Sequence, residues 1–157
     1  MPEIDLRKYL NLQAQETCRA FVIHAPAMAG KTDLARSMER ILGTYLLDLQ
    51  ELFLSNPELS ARIDRFRPRD FESLLLGLEV PQNVVVVDNF DFLLAVWTSQ
   101  MKREFMDMVD LRLKSPDTTS KTFVFLIQDD PVIMNYPFTL TQRQQRVFPL
   151  QAIKALV

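Results

Sequence analysis

The chain has 157 residues, the length of one ordinary domain, and 48% of them are apolar, enough for a sizeable core. A formal net charge of −2 argues against a free-standing nucleic-acid binder, and one histidine with one cysteine can make neither a zinc site nor an internal disulfide. No apolar run approaches a membrane span and MPEIDLRKYL carries no signal-peptide pattern, so a cytoplasmic chain without membrane contact is expected.

Taken in chain order, Ile4, Leu6, Tyr9 and Leu10 alternate with charges and predict a short amphipathic helix over about residues 3–14. ETCRAFVIHA then contains a compact apolar run, Ala20 to Ile23, that reads as a buried strand, with the lone Cys18 just before it as a reduced residue. KTDLARSMERILG places Leu34, Met38, Ile41 and Leu42 at helical spacing and stops at Gly43. TYLLDLQELF predicts a second strand turning into a short helix. SNPELSARIDRFRPRD reads as an irregular or helical connection; Arg62, Arg65, Arg67 and Arg69 make it either a solvated face or a contact patch. Asp70 is placed to cap FESLLLGL, where Phe71, Leu74, Leu75 and Leu78 share one face.

PQNVVVVDNF contains four consecutive valines, and such a run requires cover on both faces of the strand. Phe90, Phe92, Leu93 and Trp97 follow as core residues, part of which could form a docking surface. A long helix is expected over about Thr98 to Leu113, with Phe105, Met108, Val109 and Leu113 inward, then a polar turn from Ser115 to Ser120. KTFVFLIQDD is another buried strand, Pro131 and Pro137 punctuate a loop, QRVFPL is a short final strand, and Gln151 to Val157 reads as a tail helix. Strands alternating with helices imply one α/β domain, a three-layer sandwich around a mainly parallel five-stranded sheet.

Chemistry enters at HAPAMAGKT. A phosphate loop needs inward backbone N–H groups, a helix N-terminus, a lysine for the outer phosphates and a hydroxyl for magnesium. Gly30, Lys31 and Thr32 supply the core of this between a buried strand and an amphipathic helix; the expected nucleotide-binding segment is Ala25, Pro26, Ala27, Met28, Ala29, Gly30, Lys31, Thr32 and Asp33. Ala25 stands where the loop usually has its first glycine, Pro26 removes one N–H, and Met28 is the larger departure if its φ must be positive. His24, at the end of the strand, reads as a strand-end residue or as a neighbour of the site. Asp88, which ends the valine strand, is the second expected magnesium contact beside Thr32.

With both motifs in this order, the chain resembles the AAA+ class of phosphate-loop ATPases over about residues 19–150: APAMAGKT resembles that class's loop and VVVVDNFD its second nucleotide motif, including the further acid Asp91. The resemblance implies ATP and Mg2+ as ligands, Gln128 as the polar sensor at the end of KTFVFLIQ, and Arg143 or Arg146 in RQQRVFPL as an arginine that reaches a neighbour's site in a homo-oligomer formed on ATP binding. More narrowly, size and motifs resemble the BrxF family of small phosphate-loop proteins of BREX (bacteriophage exclusion) systems, which implies a part in antiviral defence beside other BREX proteins, with DNA contact indirect or weak.

Three departures lower the expected turnover. Asn89 replaces the usual glutamate, and an amide can orient a water but cannot take its proton. The chain leaves almost no room for a C-terminal lid domain, and the loop glycines are reduced. The expected function is therefore a slowly hydrolysing ATPase acting as an assembly switch. A small-molecule or nucleotide kinase, with ARIDRFRPRD as the only candidate lid, and a non-catalytic nucleotide-binding adaptor remain as alternatives.

Overall fold

The computed structural model describes residues 3–114, 118–139 and 145–157. Its five strands are β1 (Ala20–Ala25), β2 (Tyr45–Asp48), β3 (Val84–Asp88), β4 (Thr122–Gln128) and β5 (Val147–Pro149), in the order β2-β3-β4-β1-β5. Every pairing is parallel, as expected of strands separated by helical crossovers. The register sets Ala25 opposite Gln128 and Asp48 opposite Asp88, so the residues that end four strands share one edge of the sheet.

The helices are α1 (Leu6–Gln13), α2 (Lys31–Ser37, running on through a π-turn Met38–Leu42), α3 (Leu49–Ser55), α4 (Pro57–Ala61), α5 (Pro68–Leu76), α6 (Asp91–Val96), α7 (Ser99–Asp107, running on through a π-turn Met108–Arg112) and α8 (Pro131–Met134). They cover both faces of the sheet, and the period of two along each strand sorts the core into two layers. Phe21, Ile23, Val86, Val124 and Leu126 pack with Leu6 and Tyr9 of α1 and Ala35 and Met38 of α2. Val22, Val85, Val87, Phe123 and Phe125 pack on the other face with Phe71, Leu93 and Phe105 of α5, α6 and α7. That second layer is aromatic: Phe105 meets Phe125 edge-on at 5.1 Å and stacks on Phe71 at 6.0 Å. Trp97 belongs to it, its indole N–H donating to the Phe66 carbonyl at 2.8 Å. The three-layer α/β sandwich read from the sequence is this architecture. No helix among the described residues is long and apolar enough to cross a membrane.

Four local expectations are corrected. β1 runs on to Ala25, because parallel pairing with β4 continues past the apolar run as far as Gln128. Asp70 does not precede its helix: α5 starts at Pro68, whose missing N–H costs nothing there, and the Asp70 carboxylate accepts from Arg67 N–H at 2.9 Å. A separate helix, α6, precedes the long one. The tail from Gln151 makes no α-helix; after a 3-10 turn over Leu150–Ala152 it extends, and Ile153 bridges Ile4, with Ile4 N–H donating to Ala152 at 2.7 Å. This pairing lets Ile4, Ile153 and Leu156 cover the α1 layer. The arginine-rich connection is helical, and Arg62, Arg65, Arg67 and Arg69 are exposed. The expected turn at Ser115–Ser120 lies partly outside the described residues, and Arg143 lies outside them.

Among the described residues, one ion pair is fully interior. Arg146 and Asp110 are 4% and 0% exposed, with Nη1 3.4 Å from Oδ1. The guanidinium also donates to the carbonyls of Ala20, at 3.1 Å, and Val109, and lies 4.8 Å from the Phe138 ring centre. Asp110 accepts from Thr139 N–H at 2.7 Å and from the Tyr136 hydroxyl at 3.2 Å. The pair thus joins the start of β5, the start of β1, the end of the long helix and the segment after α8. Removing one member strands a buried charge, so Arg146→Ala is expected to cost about 3–5 kcal/mol in denaturant unfolding, and Arg146→Lys to recover only part of it because ammonium lacks the planar fork.

Candidate functional site

The loop between β1 and α2 turns on two left-handed residues. Gly30 has φ +100° and Met28 φ +60°. A Cβ on Gly30 would find its nearest neighbour, Leu150 Cδ2, at an ordinary 4.0 Å, so glycine is needed there for its backbone rather than for space. Met28 pays the left-handed penalty that its position in the motif foreshadowed, with its side chain fully in solvent. Ala25, by contrast, is buried and ends β1; its carbonyl accepts from Asp129 N–H at 2.9 Å, and its conformation asks for no glycine.

The ends of β3 and β4 meet the start of α2. Thr32 Oγ1 donates to Asp88 Oδ2 at 3.0 Å. Asp88 is 1% exposed, and its other oxygen, Oδ1, is buried without a hydrogen-bond partner. Burial pushes its carboxyl above the ordinary aspartate range; the Asn89 backbone N–H, Thr32 and Lys31 oppose that shift, and Asp48 reinforces it. Lys31 Nζ lies 2.6 Å from Asp91 Oδ2. The second Asp91 oxygen accepts from the Gln128 backbone N–H at 2.9 Å, which ties the lysine to the end of β4. Asn89 follows Asp88 at φ +58°, a conformation that asparagine tolerates better than glutamate. Its amide donates to Asp48 Oδ2 at 3.1 Å, while Asp48 Oδ1 accepts from Glu51 N–H at the start of α3.

Lys31, Thr32, Asp33, Asn89, Asp91 and Gln128 line a cleft of about 470 Å³ together with the loop from Ala27 to Gly30. A second cavity, of about 500 Å³, lies against Ala25, Pro26 and Ala29 on the loop; Met134, Pro149 and Leu150 give it apolar walls. His24 lines it too and holds Asp129 through Nδ1 at 2.8 Å. The two cavities share Ala29.

The structure therefore gathers Lys31, Thr32, Asp88, Asn89 and Gln128 from three separate stretches of sequence. Arg146 is not with them. Locked by Asp110 and backbone carbonyls, it cannot reach across to a neighbouring chain, and the role expected of it is withdrawn. Asp48 was missed, although an acid ending an apolar run and opening a helix is the same signal that marked Asp88. Asp91 as the partner of Lys31 had no signal in the sequence, since the two are far apart along the chain.

No group of three or more His, Cys, Asp or Glu that could hold a metal occurs among the described residues. Magnesium does not need one: it keeps several waters and takes one or two protein oxygens plus phosphate. A buried carboxylate oxygen without a partner, next to a hydroxyl, fits that donor set. Comparison with protein-family models, curated proteins and solved structures gives no match.

Two outcomes follow from this geometry. Met28→Gly should raise stability by about 1 kcal/mol, read as a higher denaturant midpoint at unchanged slope, by relieving the left-handed strain. Because the folded Asp88 holds its proton to higher pH than the unfolded chain does, the folded state binds more protons just above the ordinary aspartate range. Stability should therefore fall as pH rises through that window, and Asp88→Asn should remove this part of the slope in urea titrations run at several pH values.

Proposed function

We propose that this chain is a magnesium-dependent nucleoside-triphosphate switch with slow hydrolysis, ATP being the nucleotide that the AAA+ resemblance implies. The observation that carries the reading is the contact of Thr32 with Asp88, with an unsatisfied Asp88 oxygen buried beside it at the mouth of a loop built on left-handed turns. In this reading the backbone N–H groups from Ala27 to Thr32 surround the phosphates. Lys31 exchanges Asp91 for the outer phosphate oxygens. Thr32 and Asp88 would hold magnesium, which supplies charge neutralisation at the phosphates when bound. The cavity beyond Ala29 receives the base and sugar, with apolar walls for the ring and His24, Asp129 and Gln151 at hand for polar contacts.

Asn89 sets the expected rate. Its amide is held by Asp48 and cannot act as a base, so position 89 supplies no group that takes a proton from water. Catalysis then depends on charge stabilisation supplied on assembly, and Arg143, the other arginine that the AAA+ resemblance offers, is the one proposed for a neighbour's site. A trans-acting arginine can contribute on the order of a thousandfold or more, so the isolated chain would be nearly inert. Gln128, exposed at the end of β4, would report the terminal phosphate, the role that the AAA+ resemblance implies for it. The narrower resemblance, to the small phosphate-loop proteins of BREX defence, makes other BREX proteins the proposed partners and contact with phage DNA indirect.

The restrained Asn89 amide also favours a second reading, an adaptor that binds nucleotide without turning it over. Titration calorimetry with MgATP separates these from no function at the loop. Lys31→Ala should lose affinity on the order of 100-fold while keeping its fold, since a charge-assisted contact to phosphate is removed; equal affinity in mutant and wild type would sink the nucleotide reading. Light scattering with MgATP, with ADP and without nucleotide then tests assembly. A mass increase with ATP alone, accompanied by phosphate release, supports the switch, and tight binding without phosphate release supports the adaptor.

A further inference from the structure

We propose that the cleft admits a polyphosphate as its magnesium complex and rejects the free anion, and that Asp91 is the residue that imposes this selectivity. The inference rests on the nucleotide reading above and deepens it. Lys31 is the only cation lining the cleft among the described residues, and its charge is already taken: Asp91 Oδ2 sits 2.6 Å from Nζ. Asp91 is not free to swing away, because its other oxygen accepts from the Gln128 N–H at 2.9 Å. The lysine therefore carries an internal anion in the place where a phosphate oxygen would go.

The charges around it point the same way. Asp33 and Asp91 line the cleft and Asp88 lies behind Thr32, three acids against one lysine. A free polyphosphate must displace a fixed carboxylate and then face that carboxylate, newly unpaired, in a partly buried setting where charges are poorly screened. A magnesium complex changes both terms. It arrives with two positive charges, engages Thr32 and Asp88, and compensates the acids as Lys31 turns from Asp91 to the phosphate.

Asp91 could instead serve only to hold Lys31 extended toward the ligand, and the two roles predict opposite effects of the same substitution. Asp91→Asn keeps the size and an oxygen that can still accept from Gln128 N–H, but removes the charge on Lys31. If Asp91 competes with phosphate, affinity for the free anion rises; if it only positions the lysine, affinity falls with and without metal.

The experiment is calorimetric titration of inorganic tripolyphosphate and ATP into wild type, Asp91→Asn and Asp64→Asn, in excess EDTA and in excess Mg2+, with Asp91→Ser as a second neutral variant. The wild type is expected to bind the magnesium complexes and to bind the free anions at least about tenfold more weakly. Asp91→Asn should gain about tenfold or more for the free anions, narrowing the gap, while Asp64→Asn, the same charge change on the exposed connection before α5 and outside the cleft, changes by less than about threefold. The proposal is overturned if the wild type binds free and complexed anion equally, if both neutral variants at Asp91 leave free-anion affinity unchanged or lower, or if Asp64→Asn gains as much as Asp91→Asn. If neither wild type nor variants bind either form, the nucleotide reading falls and takes this one with it; if MgATP binds and the Asp91 variants gain nothing, only the present inference fails.

Discussion

A strand buried on both faces can carry polar side chains only at its ends, and this constraint organises the whole chain. Val85, Val86 and Val87 are sealed between two helical layers, as are Val124, Phe125 and Leu126 beside them. All five strands run the same way, so their C-terminal ends emerge at one edge. The polar residues expelled from the interior collect there: Asp48, Asp88, Gln128 and His24, with the loop after Ala25. The site is the place where the apolar pattern of several strands stops together.

That edge is acidic, and the hydrogen bonds around it show how the acids are accommodated. Asp48 is divided between the start of α3 and the Asn89 amide. Asp91 is divided between Lys31 and Gln128 N–H. Only Asp88 keeps an oxygen that no protein group satisfies, and it is the most buried of the three. An unsatisfied buried carboxylate is expensive, and burial drives its affinity for a proton up rather than letting it relax. A cation would relieve the same cost. In the nucleotide reading proposed above, stability and ligand affinity would thereby be coupled at one atom: what destabilises the free chain is what a divalent ion would find attractive.

Much of this was legible in the sequence because the informative signals are local. The four valines announced a doubly covered strand, and Gly30, Lys31 and Thr32 lie within a few residues of the strand and helix that hold them. The left-handed conformation of Met28 was foreshadowed by the motif itself. What could not be read were contacts between distant stretches: Lys31 with Asp91, Asn89 with Asp48, and Arg146 with Asp110. Arg146 illustrates why. A charged residue near the end of a chain reads as surface, and only the packed structure shows carbonyls of β1 and the long helix converging on it. The tail helix failed for a related reason, since the edge left open near Ile4 offered extended pairing that a lone short helix could not match.

Asn89 shows how conformation and chemistry can be confounded in one position. As a replacement for glutamate it reads as a loss of catalytic power. Its φ of +58° and its bond to Asp48 give it a structural reason to be asparagine: the chain must turn sharply after β3 to send Asp91 back toward Lys31. A glutamate there would bear a left-handed backbone and place a third carboxylate beside Asp48 and Asp88, where burial, reinforced by the Asp48 charge, already raises the Asp88 carboxyl. A glutamate placed there would therefore not by itself act as a base. The turn that brings Asp91 to the lysine and a free carboxylate at position 89 compete for the same short stretch of backbone, and this chain has resolved the competition in favour of the turn.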